Sequence, residues 1–489
     1  MTTPNNRLAF LSSNIGPRSP FSHIEILTAV SDIFNCNFSV LSRKNFASES
    51  FWLIDSIKFG KYPNLAIFTD ISSSKFKKSS NNSLLIVGFN FPIHFSSIFA
   101  SIFTSSNRPS NSSFFKISSK FHFKFICLLY LKNSAKIYYV LLNKLGLTFN
   151  DVLLVPQYSN INSRSKVSLK TSITPKFSIN FPIISINMDS VTGVDMAIAM
   201  AKYGGISFYP RFATPEIQSQ EIKQILDLGF PVIPAVGIKE TELHRVDLLV
   251  SVGVKIITID VAHAHQQTCL NFIKTVKSKY PNLEIIAGVV ATYEGARDLF
   301  KAGADSVRVG VGPGTICTTR VVTGSGVPQI TAVMDAFKAG QEFNRPIIAD
   351  GGTKNTGDIV KALAAGGNAV VIGSQLAGTD ESPGKVIEIN NKKYKPYNAS
   401  TSKTEKIKHL KNCHLDKNKD YINHIEGIDS YVNYNGPVSH ILAQMEAGIR
   451  SGLSYSGAQN ISKFHQKAQF IHVTSSLSTE NQNRGVILL

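Results

Sequence analysis

Between residues 182 and 373 the sequence repeats one pattern eight times. A short run rich in Val and Ile is followed by a longer stretch of helical character. The runs are "PIISIN" (182–187), "GGISF" (204–208), "PVIPAV" (231–236), "KIITID" (255–260), "EIIAG" (284–288), "DSVRVG" (305–310), "PIIAD" (346–350) and "NAVVIG" (368–373). Runs this apolar suit strands covered on both faces, as in a parallel sheet wrapped by helices. The stretches between them, such as "TGVDMAIAMAKY", "PEIQSQEIKQILDLG", "QTCLNFIKTVKSKY", "TYEGARDLFKAG" and "NTGDIVKALAAG", read as amphipathic helices. Several stop at a Gly after a basic or small residue, a common helix end. Eight evenly spaced units predict a closed TIM (β/α)8 barrel, with an open doubly wound sheet as the competing α/β arrangement.

A barrel places its chemistry on the loops that follow the strands. Those positions carry Asn187-Met188-Asp189, Gly237, Asp260, Gly288, Gly310 through Cys317, Asp350-Gly351-Gly352 and Gly373-Ser374. They are small, polar and chemically useful. Loops after strands seven and eight form the usual phosphate site of this fold, where glycines let backbone N–H groups approach an anion. Gly352, Gly373 and Ser374 are therefore the predicted phosphate cradle, and Asp350 is placed to accept from ribose hydroxyls. The plain alternative is that these glycines make tight turns and nothing more.

Residues 1–144 look different. They are rich in Ser, Phe, Asn and Lys, hold 19 of the 31 phenylalanines, and carry 16 Lys and Arg against 5 Asp and Glu. Neither strand nor helix periodicity persists there. The segment is read as a low-complexity N-terminal extension, poorly ordered or translated from sequence upstream of the true start, with a divergent small domain as the other reading. The barrel then occupies 145–489. Much of the net charge of +18 sits in the extension, so the basic balance does not point to nucleic acid. No apolar run reaches the length of about 20 residues that spans a membrane, which predicts no membrane association.

Five cysteines, Cys36, Cys127, Cys269, Cys317 and Cys413, are scattered without a CxxC pair. That argues against a disulfide framework and a zinc knuckle, and fits a reducing, cytoplasmic setting. Cys317 stands apart. It lies in "VRVGVGPGTICTTRVVTGSGVPQ" (307–329), after Gly310, Gly312 and Gly314 and beside Thr315, Thr318 and Thr319. A reactive thiol must be reachable and partly ionised, and a polar glycine loop at the catalytic face gives access. Such a loop can also turn carbonyls inward toward a monovalent cation. The other four cysteines read as buried hydrophobes.

"GVGPGTICTTRVVTGSGVPQ" closely resembles the catalytic loop of the IMP dehydrogenase and GMP reductase family. The resemblance runs from about Leu145 to Leu489. It includes "GLTFNDVLLVPQYSNINSRS", "NMDSVT", "IDVAHAH", "IIADGGTKNTGDIVKALAAG", "GSQLAGTDESPGK", "HIEGIDSYVNYNGP" and "GIRSGLSYSGA". It implies that Cys317 attacks C2 of a purine nucleotide, with Thr319 and Glu426 relaying protons. Asp350 would hold the ribose, while Thr315, Gly352, Gly373, Ser374 and Tyr397 would hold the phosphate. Asn187 would face the substrate, and Asp260 and Ala262 the cofactor, NADPH or NAD. Carbonyls of Gly312, Gly314 and Cys317 would bind potassium, and the assembly would be a homotetramer. A catalytic flap is expected at about 385–436. Without the resemblance, Glu426 would read as a solvated loop charge.

The family runs two reactions. Dehydrogenases oxidise IMP and hydrolyse the covalent intermediate to XMP, many with an Arg-Tyr pair on the flap. Here "LDKNKDYINHIEG" keeps Tyr421 but has Asp420 at the arginine position. Lys419 is a poor geometric substitute. No regulatory CBS insertion follows the second strand, and "NMD" and "DVA" are reductase-like, whereas "GVPQITAVMDAF", "AGTDESPGK" and "AHAH" are dehydrogenase-like. The reading favours NADPH-dependent conversion of GMP to IMP, with NAD-dependent oxidation of IMP as the alternative. A phosphate-binding isomerase barrel and a non-catalytic purine-nucleotide-binding paralogue are the readings from other classes. Val289 departs from the family's usual asparagine, "YNASTSKTEK" (397–406) from its base-contacting segment, and "STENQN" from its C-terminal cation segment.

Overall fold

The computed structural model describes the backbone of Cys36–Phe46 and Glu49–Phe59, and residues 145–412, 419–476 and 480. The chain divides into two units, Met1–Lys144 and Leu145–Leu489. In the first, the two described segments pair as an antiparallel hairpin, from Cys36 opposite Phe59 to Phe46 opposite Glu49. The remaining expectations for that segment, and those for Cys127 and Cys413, lie outside the described residues.

The second unit is a closed barrel of eight parallel strands. Its strands are β1 (Ile183–Ser185), β2 (Ile206–Tyr209), β3 (Ile233–Val236), β4 (Ile256–Asp260), β5 (Glu284–Val290), β6 (Ser306–Val309), β7 (Ile347–Asp350) and β8 (Ala369–Ile372). Closure is made by β8 against β1, with Val370, Val371 and Ile372 opposite Ile183, Ile184 and Ser185. All eight predicted runs become these strands. Their ends shift by a residue or two, and one shift has a clear reason: the glycines of "GGISF" stay outside β2, because Gly204 at φ +97° caps the preceding helix in a left-handed conformation.

Helices α1 (Val194–Tyr203), α2 (Pro215–Asp227), α3 (Glu242–Ser251), α4 (Gln267–Lys279), α5 (Tyr293–Ala302), α6 (Gln329–Phe343), α7 (Thr356–Ala364) and α8 (Val438–Tyr455) surround the strands. Their starts follow local chemistry. Thr214, Thr292 and Asn355 accept from backbone N–H groups of the first turns of α2, α5 and α7. α8 lies against α7 through Gly448 and Gly452, where an added Cβ would collide with Thr356 and Val360.

Two apolar cores result. Ile184, Ile206, Phe208, Ile233, Ile256, Ile286, Ile348 and Val371 fill the barrel interior, joined by Ile173 and Ile179 of a small hairpin (Thr171–Ser172 with Ser178–Ile179). That hairpin plugs the end where the strands begin, since Lys176 reaches Glu284, the first residue of β5, at 3.3 Å. The larger core fills the layer between strands and helices. Beyond β8 the chain forms a three-stranded antiparallel sheet of β9 (Ile387–Ile389), β10 (Lys392–Asn398) and β11 (Asp429–Asn433), with a flap helix Lys403–Asn412 between β10 and β11. Among the described residues, no helix is long and apolar enough to cross a membrane.

At the other end of the strands the interior turns polar around Arg308 of β6, whose side chain is 3% exposed. Its Nε and Nη2 donate to Oδ2 of Asp350 on β7, at 2.8 and 2.6 Å. Its Nη1 lies 3.2 Å from Oδ1 of Asp260 on β4. The guanidinium stands 4.7 Å over the Phe208 ring of β2. Burial pushes the Asp350 carboxyl above its ordinary value, and Arg308 pulls against that shift.

Removing Arg308 would leave the buried Asp350 carboxylate without its cation, whereas the half-buried Asp260 would keep Arg211 3.5 Å away. Arg308→Met should lower stability by about 3–5 kcal/mol, the usual cost of breaking a buried pair from one side. The folded-state value of Asp350 would then rise further above its unfolded one. A carboxyl so shifted favours the folded state while protonated, and that contribution is lost as pH rises through its folded value. The deficit of Arg308→Met against the parent should therefore be smaller in acid than at neutral pH. Urea unfolding at both pH values checks this; a deficit independent of pH would contradict it.

Candidate active site

The candidate catalytic loop starts at Gly310, where β6 ends. At φ +152° an added Cβ would strike the Asp350 carbonyl, so glycine is required for the ends of β6 and β7 to lie this close. Buried Gln329, at the start of α6, closes the same junction. Its Nε2 donates to the Val309 and Asp350 carbonyls at 2.7 and 3.1 Å.

Further along, Cys317 N–H donates to the Gly314 carbonyl at 3.1 Å. The loop is then held by the flap. Thr318 N–H donates to the Glu426 carbonyl at 2.9 Å, and Ile428 N–H to the Ile316 carbonyl at 3.1 Å. Cys317 and Gly427 thus pair in an antiparallel bridge. This pairing carries three of the predicted residues into one line: Sγ of Cys317 is 3.1 Å from Oγ1 of Thr319, which donates to Oε2 of Glu426 at 2.7 Å. Cys317 is half-buried, whereas Cys269 on α4 is fully buried and its thiol is pushed up to about 12. The contrast expected between a reachable and an inert cysteine holds for these two.

The predicted phosphate residues gather at the ends of β7 and β8. Gly351 and Gly352 take φ of +81° and +87° and pack against Pro313 of the catalytic loop. Gly373 follows β8, and Ser374 opens the short helix Ser374–Ala377. A Cβ on Gly373 would lie 2.9 Å from the hydroxyl of Tyr397 on β10, so the flap strand reaches the cradle. Tyr397 is buried, and burial pushes its phenol well above the ordinary value. Thr315 is exposed on the loop.

Asn187, just past β1, is buried, with Oδ1 lacking any hydrogen-bond partner. An orphaned buried acceptor at the barrel mouth is what a ligand-contacting side chain looks like before its ligand is added. Asp260 stands between Arg308 and Arg211, whose Nε is 3.5 Å away and makes no hydrogen bond. Ala262 is exposed two residues on. Gly312 takes φ +68°, and the Gly314 carbonyl keeps one lone pair beyond the bond it accepts from Cys317.

Tyr421 lies on the short helix Lys419–Asn423 and is 37% exposed. Its position is set by Lys406, whose Nζ stands 4.6 Å over the ring and donates to the Tyr421 carbonyl at 2.8 Å and to that of His424. Burial pulls the Lys406 ammonium below its ordinary value, opposed by nearby Glu426. The side chain of Asp420 and most of "STENQN" lie outside the described residues. Sequence reading missed Arg308, Gln329 and Lys406. Arg308 carried one signal, a lone charge inside an otherwise apolar strand.

Comparison with known proteins agrees with this geometry. A profile of the IMP dehydrogenase / GMP reductase domain matches residues 146–484. An inosine-5'-monophosphate dehydrogenase of Nitrosopumilus maritimus is 34% identical over 475 residues, covering 71% of this chain and 99% of the relative. One from Borreliella burgdorferi is 37% identical over 397 residues, covering 71% of this chain and 98% of its own. The latter leaves little room for a regulatory insertion, so the lack of one here does not separate dehydrogenase from reductase. Among solved structures, a GMP reductase variant of Trypanosoma brucei in complex with guanosine 5'-monophosphate superposes with a TM-score of 0.66 at 26% identity, covering 70% of this chain and 98% of that one. A closed barrel, a half-buried cysteine on its glycine loop and a matching domain over most of the chain place this protein in the IMP dehydrogenase / GMP reductase family of oxidoreductases.

Proposed function

We propose that the protein catalyses NADPH-dependent reductive deamination of GMP to IMP through a covalent bond between Cys317 and C2 of the purine. The hydrogen-bonded line from Cys317 through Thr319 to Glu426 carries this reading. The Cys317 thiolate adds to C2, and an electron pair moves to the ring nitrogen. Glu426, through Thr319, protonates the 2-amino group, which leaves as ammonia while the sulfur stays bonded. Asp260 and Ala262 would hold a reduced nicotinamide, whose chemistry would be to deliver a hydride to C2. The C–S bond then breaks, the pair returns to sulfur, and IMP is released. Overall, GMP, NADPH and two protons give IMP, ammonium and NADP.

In this reading Asn187 meets the base and Asp350 the ribose. Gly352, Gly373, Ser374, Tyr397 and Thr315 hold the phosphate. Carbonyls of Gly312, Gly314 and Cys317 would hold a monovalent cation that stiffens the loop. The choice of reductase rests on the flap. An acidic residue, Asp420, stands where dehydrogenases carry the arginine that activates water, and Lys406 engages the Tyr421 ring. NAD-dependent oxidation of IMP to XMP is the second reading, favoured by the names of the curated relatives.

Absorbance of the reduced cofactor decides between them. With GMP, the protein should oxidise NADPH; with IMP and NAD it should make little XMP. Rapid, steady XMP production would overturn the reductase assignment. Cys317→Ala should abolish both reactions. Glu426→Gln should slow the GMP reaction by about two to four decades, the usual worth of a positioned proton-transfer group.

Binding tests the cradle independently. Ser374→Ala should weaken nucleotide binding by about one to two decades, matching the roughly 1.5–3 kcal/mol of a hydrogen bond to a charged group. Gly373→Val should do worse, because its side chain would enter the space between β8 and the Tyr397 hydroxyl. Calorimetric titration with GMP measures both, and parental affinity in both would move the phosphate site elsewhere.

A further inference from the structure

The flap helix meets the barrel at a second cluster, separate from the Cys317 line. Asp189 lies in the loop after β1, and Glu405 and His409 lie one turn apart on the flap helix. One donor atom from each falls within 4.8 Å of the others. Nε2 of His409 is 3.5 Å from Oδ2 of Asp189 and 3.8 Å from Oε2 of Glu405.

His409 is the unusual member. It is 4% exposed, yet neither ring nitrogen completes a well-formed hydrogen bond, and Nε2 meets the two carboxylates only at loose ion-pair distance. Leaving a buried polar atom unpaired typically costs about 1–3 kcal/mol. An imidazolium paired to these carboxylates would be expected at about 2.7–2.9 Å, and the observed spacings are far longer. They instead suit two ligands on one ion. With bonds of about 2.0–2.2 Å, a tetrahedral metal holds its ligand atoms roughly 3.3–3.6 Å apart.

We propose that Asp189, Glu405 and His409 bind a divalent transition-metal ion of the zinc class, which staples the flap helix to the β1 loop. One imidazole with two carboxylates favours zinc-like ions over magnesium or calcium, which prefer all-oxygen shells. The ligands are already oriented. His409 stacks flat on Phe212, with centroids 3.8 Å apart and planes at 2°. Oε1 of Glu405 accepts from Asn398 Nδ2 at 3.1 Å, leaving Oε2 toward the cluster. Asn398 N–H in turn donates to Ser190, beside Asp189, at 3.1 Å. Lys408 is the resident competitor: its Nζ is 3.5 Å from Asp189 and 3.4 Å from Glu405. Its side chain is 48% exposed, so it can swing into solvent and vacate the fourth position. The site lies two residues from Asn187, and its ligand-orienting Asn398 follows Tyr397. A bound ion would therefore fix the flap strand against the predicted nucleotide pocket.

The test is titration of the chelator-stripped full-length protein with zinc against a chromophoric competitor. One zinc per chain is expected. Cobalt in its place should give ligand-field bands without thiolate charge transfer, and Cys317→Ala should change neither result. His409→Ala and the isosteric Glu405→Gln should each weaken binding by roughly 100-fold or more, since losing even an outer-shell partner costs about 10–100-fold. Lys408→Ala should tighten binding, a gain that misfolding cannot produce. The proposal is overturned if the parent binds no zinc, if its affinity ignores all three substitutions, or if cobalt shows a thiolate band that Cys317→Ala removes.

Discussion

Arg308 organises the mouth of the barrel. Burying a cation and a carboxylate is unfavourable unless each meets an opposite charge and fills its hydrogen bonds. Arg308 meets both conditions by reaching Asp350 on β7 and Asp260 on β4, and the electron-rich face of Phe208 covers its remaining surface. One side chain therefore ties β2, β4, β6 and β7 together. It also fixes the two carboxylates proposed to meet the ribose and the cofactor. A barrel of purely apolar strands would leave those groups free to rotate, and precise positioning is what such sites need from their scaffold.

From that junction order spreads along backbone contacts. Gly310 lets the catalytic loop leave β6 against the Asp350 carbonyl, and Gln329 locks the same point from α6. The loop would still be long and glycine-rich without the flap. Pairing of Cys317 with Gly427 makes the loop and flap one structure, and Glu426 reaches Thr319 because of it. The proposed proton relay would thus be assembled by flap docking. Lys406, which reaches the Tyr421 and His424 carbonyls from the flap helix, secures the segment just before Glu426.

The barrel was legible because burial on both faces leaves a strong mark: eight Val- and Ile-rich runs with helical stretches between. Cys317 was legible because glycines and hydroxyls crowd around it in a way no core position requires. The polar interior was harder to read. In "DSVRVG" a lone arginine looks like a side chain facing water; its carboxylate partners lie 48 and 42 residues away in sequence and meet it only when the barrel closes. The flap helix misleads in the same direction. More than half of "KTEKIKHLKN" is Lys, Glu or His, yet Glu405, Lys406 and His409 are all buried. Charge burial depends on what stands opposite, and that information is not local. Segment 397–406 departs from the family's pattern, but it still supplies the end of β10 and the start of the flap helix.

In the proposed reaction Cys317 acts as a nucleophile on a purine nucleotide. Intact-mass measurement of acid-quenched protein checks this, after incubation with IMP and either NADP or NAD. Hydride loss from IMP would leave the purine bonded to sulfur, and a flap poor at activating water would let that species accumulate. A nucleotide adduct is expected on the peptide containing Cys317, missing from Cys317→Ala. An unmodified protein, or an adduct on Cys269, would contradict it.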